Sequence, residues 1–343
     1  MKYLVGLSGG VDSACGAYLL REQGHEVIGA AVRMHEYTDL RGAEAVAEAL
    51  GISFVVLDAR ERFRERVVEP FMDAYLRAET PNPCVFCNPA VKFGALCDYA
   101  AAQGFDRVST GHYCRILRKN GRSYVRRAAD AGKDQSYVLW GLTQEQLALL
   151  EMPLASLTKS AIRALAERLC LPCATAPESQ EICFIPDHDY AAFIEARRGR
   201  LPEGNFIDAQ GNVLGRHRGI LHYTIGQRKG LGIALGRPMF VSAISAADNT
   251  VTLSDAGAEY RRFLTAAGLV FQKMEPCSSG TFRAAVKIRY AAAPAPCTVR
   301  ISDGRAEALF DEPVRAVTPG QSAVFYDGED ILLGGFIDGF QQK

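Results

Sequence analysis

The chain opens with a short apolar strand that runs directly into Ser8-Gly9-Gly10-Val11-Asp12-Ser13. Two adjacent glycines allow a tight backbone turn and leave its N–H groups uncovered. A helix-forming stretch follows at residues 14–22, so free N–H groups, hydroxyls and the positive end of a helix dipole converge there. The segment lacks the Gly-Lys-Ser/Thr ending of a Walker loop. It predicts an anion site of another kind at the end of the first strand.

Strands and helices alternate through the first half of the chain. Strand-like runs at residues 3–7, 27–32, 54–57 and 107–110 are separated by helical patterns at residues 14–22, 43–50, 61–77 and 91–103. This order predicts a doubly wound parallel sheet with both faces covered. Ligands of such sheets bind beyond the carboxyl ends of the strands, where Ser8, Met34 and Gly111 fall.

The residue composition and pattern of the sequence change near residue 195. Residues 197–204, which come directly after this change, look like a linker. Short strands and many glycines follow to about Asp255, and beyond Gly268 short runs alternate apolar and polar residues. We therefore expect three domains: an α/β domain at 1–195, a small central domain at 196–262 and an antiparallel β-barrel at 263–343.

Composition excludes several classes of protein. The chain is 48% apolar and 23% charged, which is ordinary for a globular protein, and no apolar run approaches the ~20 residues of a membrane helix. Its start reads as a strand rather than a signal peptide, so we expect a cytoplasmic protein without membrane contact. The net charge is zero, so any nucleic-acid surface must come from local clusters of basic residues.

The ten cysteines therefore favour free thiols, metal ligands or catalytic sulfur over structural disulfides. The segment Thr80-Pro81-Asn82-Pro83-Cys84-Val85-Phe86-Cys87-Asn88 stands out, because its prolines predict an extended, non-helical loop that presents two thiols. Cys183 lies in a loop between two helical stretches. We interpret the remaining notable thiols as core packing: Cys15, Cys97, Cys114 and the pair Cys170 and Cys173.

Six ordered motifs give a specific resemblance. They are Ser8–Ser13, Thr80–Asn88, Gly111-His112-Tyr113, Lys133-Asp134-Gln135-Ser136-Tyr137-Val138-Leu139, Glu181-Ile182-Cys183-Phe184-Ile185 and Tyr223-Thr224-Ile225-Gly226-Gln227-Arg228-Lys229-Gly230-Leu231-Gly232. Together they resemble the bacterial tRNA-specific 2-thiouridylases, which belong to the ATP pyrophosphatase superfamily. The resemblance runs from residue 4 to about residue 335.

The resemblance implies that the protein is an enzyme, a tRNA-uridine 2-sulfurtransferase. ATP with Mg²⁺ would adenylate the C2 oxygen of the wobble uridine, and a persulfide sulfur would replace it. The family modifies the tRNAs for Lys, Glu and Gln and takes sulfur from a donor such as a cysteine desulfurase or a relay protein. A monomer is the default expectation.

The resemblance also implies residue roles. Cys183 would carry the persulfide, and Cys87 would attack it as the partner nucleophile and end in a disulfide with Cys183. ATP would be bound by Gly6, Leu7, Ser8, Gly9, Gly10, Val11, Asp12, Ser13, Met34 and Gly111. tRNA contacts would come from Asn82, Pro83, Cys84, His112, Lys133, Asp134, Gln135, Arg289, Tyr290 and Gln321. Clustering of basic residues adds Arg228 and Lys229 to the expected tRNA surface.

Cys84 is a departure from the family pattern, because many members carry an Asp at this position. The change creates Cys84-x-x-Cys87, and with Cys183 it offers three thiolates. A 4Fe–4S cluster that delivers sulfide is therefore an alternative to the persulfide relay, and a structural zinc is a third option. Two rival functions also stay open: an amidating ligase of the same superfamily, and a non-catalytic sulfur carrier.

Overall fold

The computed structural model describes residues 1–176 and 182–340. Its first part contains β1 (Lys2–Gly6), α1 (Val11–Glu22), β2 (Glu26–Arg33), α2 (Leu40–Ala49), β3 (Ser53–Asp58), α3 (Arg60–Phe63), α4 (Glu69–Leu76), α5 (Pro83–Cys87), α6 (Phe93–Ala102), β4 (Arg107–Thr110), β5 (Cys114–Lys119), β6 (Arg122–Arg127), α7 (Gln144–Leu149), β7 (Leu150–Glu151), α8 (Lys159–Arg168) and α9 (Tyr190–Arg198). Five-residue π turns at Arg64–Val68 and Asn88–Lys92 join α3 to α4 and α5 to α6.

Five of these strands form one parallel sheet in the order β3-β2-β1-β4-β7. Alternate residues of β1 enter different cores: Tyr3 and Val5 pack with α1, α2 and α8, whereas Leu4 packs with the α3–α6 side. Helices therefore cover both faces, which confirms the predicted doubly wound sheet. The carboxyl ends of β1, β2 and β4 lie at one edge and bring Ser8, Met34 and Gly111 to the same side of the domain.

The predicted non-helical loop around Cys84 and Cys87 is wrong, because α5 is a helical turn that contains both thiols. Pro83 occupies its first position, where the missing N–H costs no helical hydrogen bond. The side chain of Asn82 caps the turn by accepting a hydrogen bond from the Cys84 N–H at 3.1 Å. Proline thus starts the helix here instead of preventing it.

The predicted linker at residues 197–204 is also partly wrong. Arg197 and Arg198 form the last turn of α9, and Arg198 pairs with Glu69 and Asp73 of α4. These ion pairs fix α9 against the catalytic domain, and the helix ends at Gly199, whose φ is +84°.

The central part is a four-stranded sheet in the order β10-β11-β8-β9, with β8 (Gly204–Ile207), β9 (Val213–His217), β10 (Phe240–Ser245) and β11 (Thr250–Ser254). Its small core includes Phe206, Tyr223 and Val241. Tyr223, from the last of the six motifs, is 4% exposed and packs edge-on against Phe206.

The C-terminal part is a closed antiparallel barrel, as predicted. Its strands are β12 (Tyr260–Phe271), β13 (Ser279–Lys287), β14 (Ala295–Ser302), β15 (Arg305–Arg315), β16 (Ser322–Asp327) and β17 (Asp330–Gly339). The order β12-β15-β14-β13-β16-β17 closes because β17 also pairs with β12. Closure removes the sheet edges of the barrel.

The barrel is joined to the catalytic domain through the hairpin β5–β6, whose Arg126 pairs with Asp330 of β17. Gln272 of the barrel is fully buried in this joint. Its amide accepts from the Val125 N–H at 2.9 Å and donates to the carbonyls of Leu139 and Trp140 at 3.0 and 2.9 Å. Two arginines of the hairpin therefore have a structural role, because Arg122 and Arg126 both bond barrel residues.

Within residues 1–176 and 182–340, no helix is both long enough and apolar enough to cross a membrane.

Candidate active site

We call residues 8–13, which connect β1 to the first turn of α1, the phosphate loop. The hydroxyl of Ser13 stabilises its shape through two hydrogen bonds to the loop backbone. Ser13 Oγ accepts from the Ser8 N–H at 3.1 Å and donates to the Gly10 carbonyl at 3.1 Å. Gly9 has φ +76°, and Gly10 is the residue before α1, so no side chain caps the first turn of this helix. The N-terminal N–H groups of α1 are therefore available to an anion, and the anion site itself stays a prediction.

Asp12 anchors this loop to the rest of the domain. Its carboxylate accepts two hydrogen bonds of 2.7 Å from Lys159 Nζ, and a third of 2.7 Å from the Tyr113 hydroxyl. The side chain of Asp39 also lies against the loop, because a Cβ on Gly9 would stand 2.8 Å from Asp39 Oδ2. Positive and negative groups thus meet at the site where phosphates would bind.

Gly111 and Met34 complete the edge of the sheet next to the loop. A Cβ on Gly111 would stand 2.6 Å from the Ser13 N atom, so α1 packs directly on this glycine. Met34 Sδ lies 3.5 Å from Cys87 Sγ. We call the sheet edge that carries Ser8, Met34 and Gly111 the nucleotide edge. Met34 on this edge and Cys87, the first predicted catalytic thiol, are therefore neighbours, although they are 53 residues apart in sequence.

The three thiols of the two cysteine segments lie near enough for their charges to influence one another's pKa. Cys84 and Cys183 both act electrostatically on Cys87, and Cys84 acts on Cys183. Cys87 is 8% exposed, whereas Cys84 and Cys183 are exposed. The other member of the Cys183 motif, Glu181, lies outside the described residues.

Burial sets the acidity of these thiols. It raises the pKa of Cys87 to about 12, with the ammonium of Lys92 opposing the rise. Partial desolvation likewise raises the pKa of Cys183 to about 11. Lys92 is the cation that acts on Cys84, Cys87 and Cys183 alike, and the sequence analysis missed it.

We expect Cys183 to be alkylated faster than Cys87 at about pH 8. Both raised pKa values keep the thiols protonated there, since a pKa of about 11 leaves roughly one thiolate in a thousand. The rate at Cys183 should rise about tenfold per pH unit until the pH reaches about 11. Differential iodoacetamide labelling with mass spectrometry measures both rates; a pH-independent rate at Cys183 would contradict the raised pKa.

The metal alternatives find little support in this geometry. Within the part of the chain that the structure describes, no group of three or more His, Cys, Asp or Glu side chains is close enough to hold a metal ion. The three thiols therefore do not fit a 4Fe–4S cluster or a structural zinc as they stand. Mg²⁺ differs, because it commonly binds one or two carboxylates plus substrate phosphates, and Asp12 and Asp39 supply carboxylates at the loop.

The residues expected to contact tRNA lie in several environments. Pro83 and His112 are buried, and Nδ1 of His112 is 2.7 Å from Thr110 Oγ1. Burial, reinforced by Lys92, holds the pKa of His112 well below its usual value, so the ring is neutral. Asn82 caps α5, and Gln321 donates to the Thr80 carbonyl at 2.6 Å. Their contact with tRNA stays a prediction.

The motif at residues 133–135 is largely engaged inside the protein. Asp134 is buried, accepts from the Ala128 N–H and the Ser136 hydroxyl, and pairs with Arg127. The side chain of Gln135 accepts from the Tyr113 N–H at 2.9 Å. These residues shape the segment that precedes Tyr137, and their predicted tRNA contact also stays a prediction.

Two barrel residues face this region. Arg289 donates to the Ile225 carbonyl and to Thr318 Oγ1, while Tyr290 is 44% exposed. Burial raises the pKa of Tyr290 most, and Cys84 is among the groups that raise it further. The Tyr290 ring therefore lies near α5, which we call the cysteine helix because it contains Cys84 and Cys87. Arg228 and Lys229 are exposed on the central part, as predicted.

Three family models match in succession: a tRNA methyl transferase HUP domain at residues 1–187, a tRNA methyl transferase PRC-barrel domain at 191–255 and an aminomethyltransferase β-barrel domain at 261–337. The tRNA-specific 2-thiouridylase MnmA of Acetivibrio thermocellus is 44% identical, covering 98% of this chain and 99% of the relative. The chain belongs to the tRNA-specific 2-thiouridylase family.

Further relatives agree with this family. The 2-thiouridylases of Carboxydothermus hydrogenoformans and Clostridioides difficile are 44% and 41% identical, each over 98% of this chain, and the match covers 97% and 98% of the relatives. Family membership over the whole length confirms the resemblance drawn from the six motifs, and it brings the ATP use of the superfamily with it.

Sequence reasoning missed several residues of this site. Lys159 begins α8 and Asp39 precedes α2, and no local pattern marks either as part of the phosphate loop. Lys92 could have been found from the sequence, because it follows Cys87 by only five residues and lies on a helical stretch.

Proposed function

We propose that this protein thiolates C2 of the wobble uridine in tRNA, at the expense of ATP. The observation that carries the proposal is the contact between the nucleotide edge and a catalytic thiol, Met34 Sδ to Cys87 Sγ at 3.5 Å. One site can then activate an oxygen with ATP and replace it with sulfur. The tRNAs for Lys, Glu and Gln are the proposed substrates.

Activation uses the phosphate loop. The C2 oxygen of uracil attacks the α-phosphorus of ATP, the bond to the β-phosphate breaks, and pyrophosphate leaves. The open N–H groups at the start of α1 and Lys159 stabilise the negative charge that leaves. Mg²⁺ bound with the phosphates would be held by Asp12 and Asp39 and would neutralise further charge. Adenylation turns a poor leaving oxygen into AMP.

Sulfur transfer uses the two thiols. The terminal sulfur of a Cys183 persulfide attacks C2, and AMP leaves with the former C2 oxygen. Cys87 then loses its proton to solvent and attacks Cys183 Sγ as a thiolate, a form that the nearby ammonium of Lys92 favours. The bond between Cys183 Sγ and the sulfur on C2 breaks, and its electron pair stays on the sulfur of the 2-thiouridine. The enzyme is left with a Cys87–Cys183 disulfide, which a thiol reductant reduces with two electrons before the next turnover. A sulfur-donor protein with a persulfide, such as a cysteine desulfurase, reloads Cys183.

The direct test incubates metal-stripped enzyme with ATP, Mg²⁺, unmodified tRNA, a thiol reductant and a persulfide-generating cysteine desulfurase. Thiolated tRNA is retarded on a gel that contains organomercury. Retarded tRNA together with released pyrophosphate supports the proposal. Activity that appears only after anaerobic iron–sulfur reconstitution, with iron bound in proportion to protein, would contradict the persulfide route but keep the thiolation.

The rival functions predict different results. An amidating ligase would consume ammonia and would not need Cys87 or Cys183, and a non-catalytic carrier would release no pyrophosphate in response to tRNA. The matched family models carry methyl-transfer names, but a phosphate loop beside paired thiols favours ATP-driven sulfur chemistry.

Reversing the charge of Arg228 and Lys229 is expected to weaken tRNA binding at least about tenfold, because each lost phosphate contact removes counterion release. The slope of affinity against salt should also become shallower, while ATP binding stays unchanged. Filter binding over a salt series measures both. Arg300→Glu, an exposed arginine on barrel strand β14, is the control for the added negative charge. Equal tRNA affinity for the double variant and the control would refute the assignment.

A further inference from the structure

The barrel loop at residues 316–321 forms hydrogen bonds with the segment that leads into the cysteine helix. The Thr80 N–H donates to the Pro319 carbonyl at 2.9 Å, and the Thr80 carbonyl accepts from Gln321 Nε2 at 2.6 Å. Both backbone polar groups of Thr80 are thus satisfied by the barrel, across about 240 residues of sequence. We call residues 316–321 the clamp loop.

Packing at the clamp loop leaves no room between the two segments. Gly320 has φ +86°, and a Cβ there would stand 2.9 Å from Glu79 Cβ and 3.0 Å from the Thr80 N atom. Real side chains do not tolerate such distances to backbone atoms, so only glycine allows this approach.

The clamp loop is itself fixed from both sides. Within the barrel, the Gly320 N–H donates to the Ile337 carbonyl, and the Ile337 N–H donates to the Gln321 carbonyl. Towards the central part, Arg289 Nη2 bonds Thr318 Oγ1 at 2.5 Å and the Ile225 carbonyl at 3.1 Å. A loop held at this many points is a rigid support for Thr80.

Little backbone freedom separates Thr80 from the first thiol. Pro81 and Pro83 have fixed φ angles, and Asn82 between them is tied to Cys84 through its cap hydrogen bond. A shift of Thr80 is therefore passed on to α5, and α5 carries Cys87 against Met34.

We propose that the clamp loop positions the cysteine helix against the nucleotide edge, and that Gln321 is a positioning residue for sulfur transfer through Thr80. The contact with Thr80 exists without RNA. This inference rests on the proposed function for its kinetic consequence only, because the placement of α5 can be measured in the free enzyme.

The test compares Gln321→Ala, Gln321→Glu and Gly320→Ala with the wild type. The first removes the donor, the second replaces it with a carboxylate that repels the Thr80 carbonyl, and the third forces the segments apart without touching the hydrogen-bonding side chain. Gly328→Ala is the matched control, because Gly328 also has a left-handed φ of +61° but would meet nothing within 4 Å.

Hydrogen–deuterium exchange of the RNA-free enzyme is the primary readout. Peptides that cover residues 80–87 should exchange at least about fivefold faster in the three clamp variants and not in Gly328→Ala. Single-turnover thiolation by enzyme preloaded with persulfide should fall at least about tenfold. ATP affinity should be unchanged in all three variants, and tRNA affinity should be unchanged in Gly320→Ala, which keeps the Gln321 side chain.

Unchanged exchange in all clamp variants would overturn the inference. So would a loss of tRNA affinity in Gln321→Ala without any change in exchange, which would make Gln321 an RNA contact alone. Thermal unfolding separates a general loss of stability from local loosening, since faster exchange throughout the barrel would also count against it. If wild-type enzyme does not thiolate tRNA, the proposed function fails, while the exchange result still decides the role of the clamp loop.

Discussion

Cys183→Ser is expected to reduce tRNA thiolation at least about a thousandfold, because a serine hydroxyl cannot carry the transferable sulfur. Cys87→Ser should have a similar effect on multiple turnover, since no thiol would remain next to Met34 to resolve the bond to Cys183. Both variants should still bind ATP, because neither thiol belongs to the phosphate loop. Retardation on the mercury gel and pyrophosphate release measure the two half-reactions separately.

The chain offers matched controls for both substitutions. Cys97 is as buried as Cys87, at 8% exposure, and lies in the neighbouring helix α6. Cys170 is exposed, as is Cys183, and follows α8. Serine at either control position should leave thiolation within about threefold of wild type. Full thiolation by Cys183→Ser would exclude the persulfide relay. Pyrophosphate release that depends on ammonia, yields no thiolated tRNA and is unchanged in both catalytic variants would favour the ligase.

Gly9→Ala is expected to lower ATP affinity at least about a hundredfold and to stop pyrophosphate release with it. A left-handed φ of +76° costs an alanine about 1 kcal/mol by itself. The larger effect is steric, because the new Cβ would stand 2.8 Å from Asp39 Oδ2 and 3.2 Å from the Ala43 N atom. The Asp39 carboxylate is the end of a side chain and can turn aside, but the Gly42 and Ala43 backbone atoms at 3.2 Å must give way. That displacement moves the loop N–H groups that would bind the phosphates.

Gly24→Ala separates the two causes. Gly24 has φ +81°, almost the same backbone strain, but a Cβ there meets nothing within 4 Å. Isothermal titration with a non-hydrolysable ATP analogue compares the two variants, and thermal unfolding records the shared strain. Equal ATP affinities for Gly9→Ala and Gly24→Ala would show that the loop does not bind phosphate.

The α/β fold was predictable because its signals are local. Apolar strands, the Gly9-Gly10 turn and helical periodicity fix the elements of the parallel sheet within a few residues of their true ends. The cysteine helix was not predictable in the same way. Proline at residue 83 reads as a helix breaker unless its first-turn position is known, and that position depends on the Asn82 cap.

The site was only partly predictable, for a related reason. Motif order identified the loop, the thiols and the family, because these residues stand in contiguous strings. Lys159 reaches Asp12 across 147 residues, and Gln321 reaches Thr80 across 241. Such contacts exist only after three parts of the chain have packed together, and no local pattern encodes them.

The joint between the hairpin β5–β6 and the barrel limits how this enzyme could be divided. A fragment that ends before β12 would lose Gln272, which leaves the Val125 N–H and the Trp140 carbonyl without that partner and the Leu139 carbonyl with the Leu142 N–H alone. Each such group costs about 1–3 kcal/mol when it stays buried. The indole of Trp140 would also lose Ser322. The catalytic part is therefore not a portable module, and a chimera that exchanges the barrel must exchange the hairpin with it.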